Sequence, residues 1–406
     1  MVHTEGTDDR YRWVILGVLW ITYIVVFLNR LSVGPLAPFF KDDLGITSTK
    51  VGLVMSAAAF GYMLSMFPIG WAVDRIGARL PMVAGELIAG ACMLGLFFVT
   101  SYTGLLTLMF VTGLGCGFLL PATSQGVIVW FPLRERATVM GLKQTAVNIG
   151  GIITAATLPT VALALGWRYG FLFLGILAIA IGAIAFILYK NPPISATGSA
   201  GSAAADDAVS LLEILKSREI WLLAFCGFCM TWVEMALIAH LVLYLTEVLL
   251  FGVVAAGGLL AMTEVAGAVA RPGGGLLSDR VFGGNRKKVF ALMAGTTSLM
   301  CFIVGLFAPH LSWSLYPVLL ILGLGSISFG GVWLTLLSEF GGRRGAGKAV
   351  GLGGMITLAG AAIGPPVFGY IVDTSGSYTG AWLSLACAGA VCLLLLVFVR
   401  ESRRKI

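Results

Sequence analysis

A chain of 406 residues that is 58% hydrophobic and only 11% charged is not an ordinary soluble domain, because those carry about 25% charged residues. Its mean hydropathy of +0.97 makes the bilayer the solvent for most of its surface. The net charge of +7 does not point to nucleic acid: the basic residues fall in short clusters between apolar runs, whereas nucleic-acid binding needs a basic face on a folded domain.

The opening stretch "MVHTEGTDDRYR" is polar and has neither a basic n-region nor a cleavage site. The first apolar run is therefore expected to be a retained span and not a signal peptide. A bilayer core takes about 20 apolar residues per helix. Twelve runs meet that length, near 13–38, 51–73, 81–100, 104–131, 137–163, 168–189, 219–247, 254–278, 289–309, 315–337, 348–371 and 380–399. β-Barrel strands would be shorter and would alternate. The predicted fold class is thus an all-α membrane protein with twelve transmembrane helices in two pseudo-symmetric six-helix bundles. The bundles are expected over 1–190 and 218–406, joined by a cytoplasmic linker at 191–217.

Span one carries Tyr23, Phe27 and Arg30 on one helical face. Span two carries Tyr62 and is followed by "GWAVDRIGAR". Glu86 of span three falls near the inner surface and is set aside as a cavity residue. Span five opens on "KQTAVNIGG", with Lys143 followed by Gln144 and Asn148 one turn apart. The linker "NPPISATGSAGSAAADDAVSLLEILKSRE" has the Pro, Ser, Gly and Ala content of a flexible connection, and its "VSLLEILK" is expected to form a short surface helix. Span seven holds Trp232, Glu234, His240 and Tyr244; span eight holds Glu264 and Arg271; span ten holds Phe329 and Trp333. All seven cysteines lie inside apolar runs, so no disulfide framework is implied, and the Cys226-x-x-Cys229 pair reads as packing within a helix.

Lys and Arg set the orientation. With the N-terminus inside, 20 basic residues face the cytoplasm and three, Lys41, Lys50 and Arg168, face outward. The remaining three, Arg30, Lys143 and Arg271, lie within spans. Both termini are accordingly expected in the cytoplasm of a plasma membrane of the bacterial inner-membrane kind.

The halves repeat. "GWAVDRIGAR" after span two matches "GLLSDRVFGGNR" after span eight, so that Gly70, Asp74 and Arg75 align with Gly275, Asp279 and Arg280. "RERATVMGLKQ" is echoed by "RGAGKAVGLGG". Such internal symmetry belongs to carriers that work by alternating access.

These motifs resemble the major facilitator superfamily over nearly the whole chain. The pattern G-x-x-x-D-R-x-G-x-R, here Gly70, Asp74, Arg75, Gly77 and Arg79, is that family's signature. The resemblance implies a gating loop whose Asp pairs with charge on the cytoplasmic face, with Glu135 and Arg136, and Glu339 with Arg343, as candidate partners; Asp279 and Arg280 form its second copy. The stretch 28–79 and "PATSQGVIVWFP" look like the anion:cation symporters of organic carboxylates, which implies substrate contact for Arg30 and a cavity-lining role for Tyr62. Asn29 and Cys116 replace acidic residues of that pattern. The "ARP" around Arg271 resembles monocarboxylate and oxalate–formate carriers, where an Arg in that helix binds a carboxylate; the acidic partner of some such carriers is Gly267 here.

A charge at mid-bilayer costs about 2.5–3.5 kcal/mol even on the lenient insertion scale. Three buried cations therefore call for water, carboxylates or substrate around them. Arg30 offers a planar fork suited to a carboxylate; the alternative is snorkelling to the surface. Arg271 either binds ligand or pairs with a carboxylate, and Lys143 either orients substrate with Gln144 and Asn148 or balances Glu264 or Glu234. Tyr23, Phe27, Tyr62 and Trp333 are candidates to bound an apolar part of the substrate. Glu234 and Glu264 are the proton-relay candidates, joined by His240, whose bland reading is packing.

Together these residues predict a carrier of small organic anions, carboxylates foremost, coupled to protons or to a counter-anion. No cofactor, metal or nucleic acid is expected, and the chain is expected to act as a monomer in lipid. Efflux of amphipathic drugs is the first rival, disfavoured by the excess of Arg and Lys over carboxylates. A transporter-like sensor is the second, and an enzyme finds no nucleophile triad, metal cluster or phosphate loop.

Overall fold

The computed structural model describes residues 8–191 and 211–400, which are built of α-helices joined by short turns. Among the described residues, twelve helical segments are long and apolar enough to cross a bilayer, from Arg10–Leu44 to Tyr378–Phe398. Each sequence-predicted span overlaps one of them. Apolar side chains lie on both the inner and outer faces of these helices. In α8 (Trp167–Leu188), Phe171, Leu174 and Ala178 are buried while Phe173, Ile176 and Ile187 are exposed. A helix that is apolar all round is suited to a lipid surround.

Two compact units emerge from the contacts. The first, as far as described, comprises residues 8–39 and 57–191; the second comprises 40–56 and 211–400. The first holds α1 (Asp8–Leu31), α4 (Arg79–Leu96), α5 (Tyr102–Gly117), α6 (Leu119–Trp130), α7 (Leu133–Leu165) and α8, with the longer part of α3 (Ser48–Ile76) and the start of α2 (Val33–Leu44). The second holds α9 (Leu211–Lys216), α10 (Arg218–Glu247), α11 (Val253–Arg280), α12 (Arg286–Phe307), α13 (Leu315–Ser326), α14 (Gly330–Ser375) and α15 (Tyr378–Phe398). α9 is the short helix expected in "VSLLEILK"; the linker residues 192–210 before it lie outside the described ones.

Residues 40–56, which the sequence reading assigns to the first bundle, pack with the second unit. The reason is a set of polar ties. Asp373 of α14 accepts from the backbone N–H groups of Ser48 and Thr49, at 2.9 and 2.7 Å, and so caps the start of α3. Lys41 pairs with Glu247 at 2.6 Å, and Tyr378 donates to the same carboxylate at 2.8 Å.

The internal repeat reaches into the packing. A Cβ on Gly113 of α5 would stand 2.1 Å from the Ala58 carbonyl oxygen of α3, and one on Gly323 of α13 would stand 2.3 Å from the Thr263 carbonyl oxygen of α11. The register that aligns Gly70 with Gly275 also aligns Ala58 with Thr263. Both units thus bring the same pair of helices into backbone contact through a glycine, the close approach that membrane helices favour. Past each of these helices the chain turns through left-handed glycine: Gly77 at φ +79°, and Gly283 and Gly284 at +59° and +84°.

Candidate functional site

The first unit gathers five of the sequence-predicted residues. Arg30 stands in the last turn of α1, its guanidinium over the Tyr62 ring at 4.2 Å and beside the Phe27 ring at 5.4 Å. One turn back, Tyr23 meets Phe27 edge-on with centroids 5.2 Å apart. The ammonium of Lys143, from α7, lies 4.6 Å from the Tyr23 centroid. α1 therefore carries an aromatic strip with a cation at each end. The spacing of 23, 27 and 30 puts all three residues on one helical face.

Lys143 is wholly buried and donates to Thr123 Oγ1 at 3.1 Å and to Ser124 Oγ at 3.0 Å, both on α6. Neither Lys143 nor Arg30 is paired with a carboxylate among the described residues. Each is held by π faces or neutral hydroxyls, weaker partners than an anion. On α7, Asn148 is buried with its Nδ2 lacking a hydrogen-bond partner among the described residues, while Gln144 is exposed.

The second unit treats its cation differently. Arg271 of α11 lies 3.9 Å from Glu234 of α10 and donates through Nε to the Ile327 carbonyl at 3.3 Å. Glu264 is buried on the same helix. His240 is buried, its Nε2 donating to the Pro365 carbonyl at 2.9 Å and its ring stacked on Phe368 at 4.8 Å. Trp333 lies in the apolar core of the unit, its indole N–H donating to the Leu223 carbonyl at 2.7 Å. The geometry thus brings Arg30, Tyr62, Phe27, Tyr23 and Lys143 together in one unit and Arg271 with Glu234 in the other.

A family model described as Major Facilitator Superfamily matches residues 19–357. The chain belongs to the major facilitator superfamily. It is an integral, multi-pass membrane transporter by that membership and by its twelve bilayer-length helical segments. Its relatives in the superfamily include a probable sulfoacetate transporter of Cupriavidus necator, 26% identical over 429 aligned positions that cover 97% of this chain and 96% of the relative. The hexuronate transporter of Bacillus subtilis is also 26% identical, covering 94% and 93% of the two chains. Among solved structures, a bacterial homologue of the human lysosomal transporter Spinster, in an inward-facing and unoccupied conformation, matches with a TM-score of 0.77. At 18% identity, over 96% of this chain and 95% of that one, it shows the shared fold.

The superfamily signature sits at the turn from α3 to α4. Asp74 and Arg75 are exposed, and the Arg75 guanidinium lies 3.8 Å from the Trp71 centroid. Arg79 donates to the Phe186 carbonyl, and its backbone N–H donates to Asn191 Oδ1 at 3.2 Å. The Asn191 side chain fills the space where a Cβ on Gly77 would be, so this glycine serves both the turn and the contact. Gly70 has open space around it. In the second copy Asp279 and Arg280 are exposed, and the next helix is capped by Asn285, which accepts from the Lys288 N–H at 3.1 Å. The charges offered as partners for the signature are engaged locally: Glu135 with Arg12 at 3.3 Å, Arg136 with the Phe131 carbonyl at 2.9 Å, and Glu339 with Arg286. The Arg343 side chain lies outside the described ones.

Sequence reasoning passed over Thr123 and Ser124, although "PATSQG" displays them. Two adjacent hydroxyls in an apolar span are a usable signal for a nearby buried donor, since each must find a hydrogen-bond partner there. It also set Glu86 aside as a surface-near residue, and the structure buries that side chain to 1% exposure.

Proposed function

We propose that this transporter carries small organic anions, carboxylates foremost, by alternating access. One observation carries the reading: Arg30, half-buried, and Lys143, wholly buried, are lodged on Tyr23, Phe27 and Tyr62 of one unit with no carboxylate partner among the described residues. Burying an uncompensated cation costs several kcal/mol, about what an arriving anion would return. The named substrates of the relatives, sulfoacetate and hexuronate, are compact oxyanions and agree with this chemistry.

In this reading Arg30 binds the carboxylate through its planar fork, Tyr62, Phe27 and Tyr23 flank it, and Lys143, Gln144 and Asn148 orient its remaining oxygens. Arg271 offers a second anchor, one that must first leave Glu234. Coupling runs through protons at Glu234, Glu264 or His240, or through a counter-anion. Trp333 supports the second unit from its core. The signature residues Gly70, Asp74, Arg75, Gly77 and Arg79, with Asp279 and Arg280 of the second copy, gate the cycle. The protein works as a monomer in the bacterial inner membrane with both termini in the cytoplasm, and uses no cofactor.

Proteoliposomes given labelled sulfoacetate, glucuronate and neutral glucose, with and without a pH gradient, test this. Uptake of the anions but not of glucose is the expected result, with loss of uptake in Arg30→Ala. In Arg30→Lys the charge stays but the stacked fork is lost, so KM for the anion should rise about tenfold, the worth of about 1.4 kcal/mol of binding. Full anion uptake by Arg30→Ala would remove that residue from the site. Extrusion of amphipathic cations with no anion uptake would make the protein a drug-efflux carrier instead.

A further inference from the structure

Glu86 is the buried acid that no role above uses. It stands in α4, 1% exposed, and neither carboxyl oxygen has a hydrogen-bond partner among the described residues. Its seclusion follows from glycine on both sides. A Cβ on Gly85 would stand 2.6 Å from the Gly115 carbonyl oxygen of α5, and one on Gly115 would stand 2.7 Å from the Gly85 carbonyl oxygen, so the two helices cross in backbone contact there. On the other flank a Cβ on Gly182 of α8 would stand 3.0 Å from the Glu86 Cβ. Glu86 and Cys116 each follow a glycine of that crossing by one residue.

The surroundings supply no counter-charge. Between Phe171 and Leu188, α8 presents no ionisable side chain, and α6 has none at all. α5 offers only Tyr102 at its start and Cys116 at the crossing. The ionisable groups Tyr23 and Arg30 of α1 and Tyr62 of α3 belong to the cation cluster described above. The Cys116 thiol points to the Val26 carbonyl of α1 at 3.9 Å.

A carboxylate in such a seam would have neither donor nor cation, and the uncharged acid is the form these surroundings tolerate. Even the acid leaves its hydroxyl without an acceptor, and an orphaned buried polar group in a native structure calls for a use. We propose that Glu86 is a proton-carrying site of the transport cycle: it holds a proton in the dry seam between α4, α5 and α8 and exchanges it with water in the alternate conformation. Only a proton moves; no covalent bond to carbon forms or breaks. Packed glycine seams permit the small sliding that would admit water. This inference rests on the proton-linked form of the function proposed above and adds a fourth acid–base group to it.

Two measurements on the full-length protein in lipid vesicles decide the matter. Infrared spectroscopy in water and heavy water should reveal a protonated carboxylic acid at neutral pH that is lost in Glu86→Gln and returns, shifted, in Glu86→Asp. With sulfoacetate as the probe and a pH dye inside the vesicles, a sulfoacetate gradient should drive protons in the wild-type protein. That proton movement should vanish in Glu86→Gln while sulfoacetate-for-sulfoacetate exchange persists, and Glu86→Asp should restore it. An infrared band unchanged in Glu86→Gln, or proton movement that survives the substitution, overturns the proposal. A wild-type protein that moves no sulfoacetate strikes at the anion reading instead. The infrared arm needs no substrate and still decides whether Glu86 holds the proton.

Discussion

Lys143 separates a binding role from a structural one. Its ammonium keeps two hydroxyl acceptors and the Tyr23 face but, among the described residues, no carboxylate partner. A buried charge compensated this weakly lowers stability relative to an apolar side chain of like volume. Lys143→Met should therefore leave the thermal unfolding midpoint in detergent unchanged or raise it. Anion affinity should fall about 10- to 100-fold, the worth of a charged hydrogen bond of about 1.5–3 kcal/mol. A brace would behave the opposite way, with a lower midpoint and intact binding. Arg30, Lys143 and Arg271 stand out in the sequence because each breaks an apolar run. Their partners did not stand out, because Thr123 lies 20 residues from Lys143 and the pairing of Arg271 with Glu234 depends on how α10 meets α11. The seclusion of Glu86 was illegible for a related reason. Depth along a helix says nothing about which neighbours close over a side chain.

Glycine decides how the helices meet, and not every glycine does so. Placing a Cβ at Gly113 or Gly323 drives it into a carbonyl of the facing helix, a contact that no side-chain rotation can relieve. Overpacking of this kind typically costs about 1–3 kcal/mol. Gly113→Ala and Gly323→Ala should each lower the unfolding midpoint and the yield of folded protein. Gly70 lies inside α3, and a Cβ added there would meet nothing within 4 Å. Gly70→Ala should be neutral or stabilising by up to about 1 kcal/mol, the helix-propensity gain. If Gly70→Ala retains the midpoint yet slows transport, the signature glycine is needed by the other conformation. Equal midpoints for all three variants would contradict the crossing argument. At this scale the spans were legible because bilayer thickness imposes a length that composition reveals directly. The attachment of 40–56 to the second unit was not, since the cap on Ser48 comes from Asp373, 325 residues away.

Charge asymmetry governs the molecule as a whole. Of the basic residues outside the spans, the sequence reading places 20 on one side and three on the other. Within that minority, Lys41 engages Glu247 and Arg168 engages the Val99 carbonyl. Several majority-side cations are engaged too, Arg12 with Glu135 and Arg286 with Glu339 among them. These pairs do not offset the asymmetry, because orientation follows the count of Lys and Arg near the spans and acidic residues weigh little. A fluorescent protein fused after Ile406 should therefore light up in bacterial cells, and alkaline phosphatase fused at the same place should stay inactive. Lys41→Glu and Lys50→Glu, which widen the asymmetry, should leave both results unchanged. Phosphatase activity from the C-terminal fusion would invert the proposed topology, and would turn the Asp74 and Arg75 turn to the outside of the cell, where the proposed cytoplasmic gate could not operate.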